Sequence, residues 1–75
     1  MNIKLYSKNN CILCNMTKRF LNVNNIHFEE INIDEQPDVI PWLKEQGFQS
    51  APVVLSEEHS IVGFRPDQLK KLVSE

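Results

Sequence analysis

The sequence contains few cysteines and histidines, the residues that most often cross-link a small fold or bind zinc in it. There are two of each among 75 residues. Both cysteines fall within the segment NNCILCNMTK, residues 9–18, with two residues between them. A bridge between Cys11 and Cys14 would close a very small loop. Because loop-closure entropy grows with loop length, such a bridge would stabilise the fold very little. A structural staple is therefore a poor explanation for the pair.

The chain also lacks a long apolar segment and an excess of either charge. No stretch approaches the roughly 20 apolar residues of a membrane-spanning helix. A secretory signal is not expected either, because the N-terminal residues do not show a basic start followed by an apolar run. The net charge is −2 and the basic residues are scattered, so neither nucleic acid nor a membrane is an expected partner. We expect a cytoplasmic monomer, in which a CxxC pair indicates redox or metal chemistry.

Seven elements of secondary structure are predicted within a single domain spanning residues 1–75. They are a strand at 2–6, a helix at 12–25, a strand at 26–33, a helix at 34–47 whose regular part begins near Pro41, strands at 51–55 and 59–62, and a helix at 65–75. The first two strands flank a helix and should be parallel, whereas the last two share a tight turn and should be antiparallel. The order βαβαββα predicts an α/β fold, a four-stranded mixed sheet with three helices on its two faces.

The spacing of apolar residues predicts the faces of the outer helices. In the first helix, the helical spacing places on one face Leu13, Thr17, Phe20 and Leu21. The opposite face should hold Lys18 and Arg19. In the last helix, one face should hold Leu69, Leu72 and Val73.

The cysteines are predicted where the first strand ends and the first helix begins. Backbone N–H groups and the helix dipole favour a thiolate at that position, which would make Cys11 a nucleophile. Cys14 follows about one turn later on the same side, where it could resolve a mixed disulfide formed on Cys11. Lys8 lies three residues before Cys11 and is either a supporting positive charge or a solvated loop lysine.

Two other interpretations use the same cysteines. Free cysteine is commonly buried, but CxxC spacing at a strand-to-helix junction disfavours two inert core thiols. Cys11, Cys14 and His27 match the first three ligands of a zinc finger. His59 comes far too late in the chain to be the fourth ligand. A zinc-binding or interaction module without catalytic activity therefore ranks below a redox pair.

Three segments together carry a family resemblance. They are CxxCxxTKRxL at residues 11–21, QSAPVV at 49–54 and GFRPDQLKKL at 63–72. With these segments, the whole chain resembles the NrdH-redoxin family, whose members are small, glutaredoxin-shaped proteins of the thioredoxin superfamily with thioredoxin-like activity. The resemblance implies a thioredoxin-like fold and a dithiol–disulfide oxidoreductase without a bound cofactor.

The resemblance also implies roles for individual residues and for partners. Cys11 would be the attacking thiol, Cys14 the resolving thiol, and Pro52 a cis-proline facing them. Electrons would pass to class Ib ribonucleotide reductase, and thioredoxin reductase would restore the dithiol with NADPH. The expected partner-binding residues are Lys8, Ile12, Leu13, Ala51, Pro52, Gly63, Phe64 and Arg65. Among the apolar ones, Leu13 at the helix tip is expected to be the most exposed.

The alternative within the same fold is a glutathione-dependent dithiol glutaredoxin. Lys8 and Arg65 offer cations for the glutathione carboxylates, but Phe64 stands where glutaredoxins commonly have a second glycine. The sequence also departs from the family's pattern at three places, one of which is Ile61, two residues before Gly63, where the family often has Trp. The residues between the cysteines, Ile12-Leu13, are both apolar. Asn9-Asn10 replaces a pair that commonly includes proline, which should loosen the loop before the cysteines.

Overall fold

The elements of the fold follow the predicted order, and each is shorter than its predicted segment. A computed structural model describes residues 3–73. In chain order the elements are β1 (Lys4–Ser7), α1 (Ile12–Val23), β2 (Glu29–Asn32), α2 (Val39–Glu45), β3 (Val53–Leu55), β4 (Ser60–Val62) and α3 (Pro66–Val73). Positions 2, 74 and 75 of the predicted first strand and last helix lie outside the described residues. Between residues 3 and 73, no helix combines the length and apolarity needed to cross a bilayer.

The four strands form one mixed sheet in the order β2-β1-β3-β4. β1 pairs in parallel with β2, with Leu5 opposite Glu30. β1 and β3 are antiparallel, as are β3 and β4. The predicted parallel crossover and the predicted hairpin are therefore both confirmed, and β1 is central because it pairs on both sides.

Two apolar clusters cover the two faces of this sheet. Successive side chains of a strand point to opposite faces, so Leu5 belongs to one cluster and Tyr6 to the other. The cluster under α1 and α3 comprises Ile3, Leu5, Leu21, Val54, Ile61, Leu69 and Leu72. The cluster under α2 comprises Tyr6, Ile31, Leu43 and Val53. Trp42 of α2 packs beside Tyr6 with ring centroids 6.0 Å apart.

The buried face of α1 is rotated from the predicted one. Its buried residues are Cys14, Thr17 and Leu21. Each helical residue turns the side chain by about 100°, so Lys18 flanks this buried line rather than opposing it. Its Nζ reaches Glu30 Oε2 of β2 at 2.8 Å. The prediction for Lys18 was therefore wrong, whereas Arg19 is exposed as expected.

The other two helices also differ from prediction. α2 begins at Val39, which places Pro41 third in the helix, where the missing N–H has no intrahelical acceptor in any case. Gly47, with a left-handed φ of 91°, ends this helix as predicted. In α3, Val73 remains 45% exposed, because it lies about 100° around the helix from the buried Leu72.

Candidate redox site

The two cysteines occupy the N-terminus of α1 and are joined by a disulfide. Cys11 is the N-cap, with extended backbone angles of φ −114° and ψ 107°. The Cα atoms of Cys11 and Cys14 lie 5.2 Å apart. The Cys14 N–H donates a hydrogen bond to Cys11 Sγ at 3.1 Å, which uses one of the first-turn N–H groups that lack a helical acceptor. The predicted strand-to-helix position of the pair is confirmed.

The two sulfur-bearing residues differ in how far solvent reaches them. Cys11 is 8% exposed, whereas Cys14 is 1% exposed. Thr17, one turn deeper, is fully buried, and its hydroxyl donates to the Leu13 carbonyl at 2.9 Å. The N–H group aimed at Cys11 Sγ and the helix dipole both favour negative charge on that atom. An incoming reactant therefore meets Cys11 first.

Exposed apolar side chains surround the N-terminal turn of α1. Ile12 is 77% exposed and Leu13 is 47% exposed. The exposure of Leu13 is confirmed, but Ile12 is the more open of the two, because it lies about 160° around the helix from the buried Cys14. Met16, which the sequence analysis did not select, is 42% exposed. The exposure of Met16 could have been predicted, because a residue three positions after Leu13 lies on the same side of the helix.

Contacts tie the segment before α3 to Pro52 and to α1. The Ala51-Pro52 peptide bond is cis, as the family resemblance implies, and Pro52 is buried. Its carbonyl accepts a hydrogen bond from the Gly63 N–H at 2.8 Å. Phe64 follows Gly63 and packs edge-on against Phe20 of α1, with ring centroids 6.5 Å apart. The next residue, Arg65, is exposed and begins the turn into α3.

Lys8 and Ala51 line a common cleft, so the structure brings these two predicted residues together. The cleft has a volume of about 100 Å³ and an apolar lining supplied by Ile33, Ile40, Leu43 and Phe48. Lys44 also lines it and was not selected from the sequence, because nothing local marks a helix lysine as part of a cleft. Phe64 instead lines a separate apolar groove with Met16, Phe20 and Val23. Of the predicted partner-binding residues, Lys8 and Ala51 thus line one surface and Phe64 lines another.

The loop before Cys11 is held by side chains from the end of β2 and from the loop that follows it. The Asn9 N–H donates to Asp34 Oδ2 at 2.7 Å, and Asn32 Nδ2 donates to Asn9 Oδ1 at 2.9 Å. Asn10 has a φ of 55°, which the proline ring cannot adopt but asparagine tolerates. Hydrogen bonds therefore hold this loop at Asn9, and the expectation that Asn9-Asn10 loosens it relative to proline stays a prediction.

An ion pair anchors the middle of α1 to the sheet. Glu30 Oε2 accepts a hydrogen bond from the Ser7 hydroxyl at 2.9 Å and pairs with Lys18 Nζ. The hydrogen bond from Lys18 lowers the pKa of Glu30, and the Ser7 hydrogen bond adds to this effect against the opposing cost of burial. A carboxylate with a lowered pKa is a weak proton acceptor. Glu30 therefore stays ionised at neutral pH and pairs with Lys18 between β2 and α1.

The described residues contain no cluster suited to a metal ion. Within residues 3–73, no three side chains of His, Cys, Asp or Glu are grouped to hold one. His27, the third residue of the zinc-finger spacing, is exposed ahead of β2. Cys11 and Cys14 are bonded to each other.

Comparison with known proteins places this geometry in a family. The Glutaredoxin family model matches residues 3–61. The glutaredoxin-like protein NrdH of Lactococcus lactis subsp. lactis is 47% identical over 70 residues, which cover 93% of this chain and 97% of the relative. The chain belongs to the NrdH-redoxin family. The NrdH protein of Escherichia coli K12 is 40% identical over 72 residues, covering 96% of this chain and 89% of that relative.

Solved structures agree with this NrdH-redoxin assignment. The structure of NrdH-redoxin from Escherichia coli superimposes with a TM-score of 0.92 at 40% identity, covering 96% of this chain and 95% of that one. That protein is described as a glutaredoxin-like protein with a thioredoxin-like activity profile. The thioredoxin-like protein BC3987 gives a TM-score of 0.81 at 27% identity over 93% of this chain and 97% of that one.

Family membership and the site together establish the chemistry. The fold is thioredoxin-like, as the sequence predicted. A glutaredoxin-like NrdH redoxin that carries a disulfide between the two CxxC cysteines is a thiol–disulfide oxidoreductase. The family resemblance identified from the sequence is confirmed.

Proposed function

We propose that this protein reduces disulfides in partner proteins and supplies electrons to class Ib ribonucleotide reductase, with thioredoxin reductase and NADPH restoring its dithiol. The observation that carries the proposal is the near-complete superposition on an NrdH-redoxin with a thioredoxin-like activity profile. The protein acts as a single domain, residues 1–75, and as a monomer without a bound cofactor. We place it in the cytoplasm, because recycling of the dithiol by NADPH and thioredoxin reductase belongs to a reducing compartment.

The proposed cycle assigns one role to each cysteine. The Cys11 thiolate attacks a partner disulfide, which forms a Cys11–partner bond and releases the other partner sulfur as a thiolate. Cys14 then loses its proton and attacks Cys11 Sγ. This step forms the Cys11–Cys14 disulfide and releases the second partner sulfur. Two electrons pass to the partner, whose thiolates take up two protons.

A coupled assay tests the route by which electrons arrive. NADPH oxidation is followed while the protein reduces a ribonucleotide reductase of class Ib, with either thioredoxin reductase or glutathione plus glutathione reductase present. We expect steady turnover with thioredoxin reductase and none above background with glutathione. Turnover with glutathione alone would contradict the proposal, and omission of the redoxin from each mixture provides the background rate.

One observation favours glutathione as a second candidate reductant. Lys8 and Lys44 line the cleft beside Ala51, and two ammonium groups would suit the two carboxylates of glutathione. Against it, Phe64 follows Gly63 and half-buries its ring against Phe20, where glutaredoxins commonly have a second glycine. The coupled assay decides between the two routes.

We further propose that protein partners dock on the apolar surface of Ile12 and Leu13, with Phe64 at its margin. Burial of these exposed side chains should contribute to partner binding, so Ile12→Ala combined with Leu13→Ala should lower kcat/KM about tenfold, mainly through KM. Reduction of a small synthetic disulfide should change less than about twofold, because no docking surface is used. Val73→Ala, which truncates a similarly exposed residue on α3, is the matched control. Equal rates for the double variant and the control would refute the docking surface.

A further inference from the structure

We propose that Asn9 and Asn32 are positioning residues for Cys11 and act together as a clamp, here called the asparagine clamp. The proposal deepens the thiol–disulfide exchange proposed above and rests on Cys11 being its attacking sulfur. The clamp is the hydrogen bond from Asn32 Nδ2 to Asn9 Oδ1, at 2.9 Å. It joins the loop before α1 to the last residue of β2, across the ends of two paired strands.

Asn32 is fixed at both ends of its side-chain amide. Its Oδ1 accepts hydrogen bonds from the N–H groups of Asp34 at 2.9 Å and Glu35 at 3.3 Å. These bonds fold the chain after β2 into a tight turn that presents the Asp34 carboxylate to the Asn9 N–H. The Asn32 NH₂ group is left pointing at Asn9 Oδ1. Asn32 therefore stabilises the turn after β2 and also holds the loop before α1 through its hydrogen bond to Asn9.

The clamp acts close to the reactive sulfur. The last ladder bond between β1 and β2 runs from the Ile33 N–H to the Ser7 carbonyl, at 2.7 Å. Beyond it the chain is held at Asn9 by the clamp and at Cys11 by the first helical bond, from the Asn15 N–H to the Cys11 carbonyl at 3.1 Å. Only Asn10 separates the two anchors, so a displacement of Asn9 reaches Cys11 almost directly.

The conformation of Asn10 explains why an anchor is needed. Its φ of 55° is in the left-handed region, which a free asparagine populates sparsely. This turn delivers Cys11 in the extended N-cap conformation, with the Cys14 N–H aimed at its sulfur. If the clamp is lost, Asn10 relaxes toward commoner angles. The N-cap geometry then weakens, and the Cys11 thiolate loses part of its stabilisation.

The test measures Cys11 itself and needs no partner. The reduced full chain is alkylated with iodoacetamide across a pH series, and mass spectrometry follows modification of Cys11. For Asn9→Ala and for Asn32→Ala, we expect the midpoint of the pH profile to rise. We expect the rate at pH 7 to fall by about threefold to tenfold, the range of one lost hydrogen bond. Asn22→Ala, which truncates an exposed asparagine of α1, should stay within about twofold.

Two further variants separate the clamp from general effects. Asn9→Ala with Asn32→Ala should slow alkylation no more than Asn32→Ala alone, because Asn32→Ala already removes the bond that Asn9→Ala breaks. Asp34→Asn keeps an oxygen acceptor for the Asn9 N–H while it removes a negative charge, so its midpoint should not rise. The other charged side chains of the two loops, Lys8 and Glu35, and the exposed Arg65 before α3 are unchanged in every variant.

Three results would overturn the clamp: unchanged alkylation profiles for both alanine variants, slowing in the double variant equal to the product of the two single effects, or an equal midpoint rise for Asp34→Asn. Thermal unfolding of each variant shows whether the fold persists at the assay temperature. If the wild-type protein fails to turn over with thioredoxin reductase, the proposed function fails. The alkylation profiles would still decide whether the clamp positions Cys11.

Discussion

Cys11→Ser is expected to abolish disulfide reduction. A serine hydroxyl at this N-cap stays protonated at neutral pH and cannot form a disulfide, so the first covalent step is lost rather than slowed. The substitution should not disturb the fold, because serine is a favoured N-cap whose oxygen can accept the Cys14 N–H bond that Sγ now accepts. Turnover in the NADPH-coupled assay should fall to the rate measured without the redoxin, with an unchanged circular dichroism spectrum.

Cys14→Ser should stop the same cycle one step later. Cys11 can still attack the partner, but the buried resolving thiol is gone, so the Cys11–partner disulfide accumulates. A non-reducing gel should show a covalent complex that dithiothreitol releases, and the variant lacking both thiols should show none. Full turnover by Cys14→Ser would contradict the proposed roles, because it would require a route that uses Cys11 alone.

Leu21→Ala should cause a large loss of stability. Leu21 is fully buried in α1 and belongs to the cluster shared with β1, β3, β4 and α3. Truncation of a buried leucine costs about 2 to 5 kcal/mol. Small domains are commonly stable by as little as about 5 kcal/mol, so this variant should be substantially unfolded or should melt far below the wild type.

The control for this change lies two residues further along the same helix. Val23 is 71% exposed, so Val23→Ala should change the free energy of unfolding by less than about 0.5 kcal/mol. Urea denaturation of both oxidised variants measures the difference. A loss below about 1 kcal/mol for Leu21→Ala would mean that the core can repack around the space.

Much of the redox site could be predicted because its determinants are local. The CxxC spacing and the change from strand to helix periodicity lie within a few residues, and they place Cys11 at a helix N-terminus. The asparagine clamp could not be found in this way. Its bond joins residues 23 positions apart, the neighbouring bond from the Asn9 N–H to Asp34 spans 25 positions, and no local pattern distinguishes Asn9 from any other loop asparagine.

The ends of the strands also could not be predicted from local sequence alone. Alternating residues predicted a strand over 26–33, but only Glu29–Asn32 pairs with β1. Ile26 and Phe28 nevertheless pack against the cluster beneath α1. The alternation therefore predicted which side chains pack against the core. It did not predict the length of the strand, because backbone pairing is limited to the four residues of β1.

The position of Trp42 makes its fluorescence an intrinsic probe of unfolding. It is the only tryptophan in the chain, and its indole lies beside Tyr6 on the face covered by α2. The disulfide is carried by α1, on the opposite face of the sheet. Emission from this indole therefore follows the detachment of α2 as the chain denatures. It also allows the unfolding of oxidised and reduced protein to be followed without an added dye.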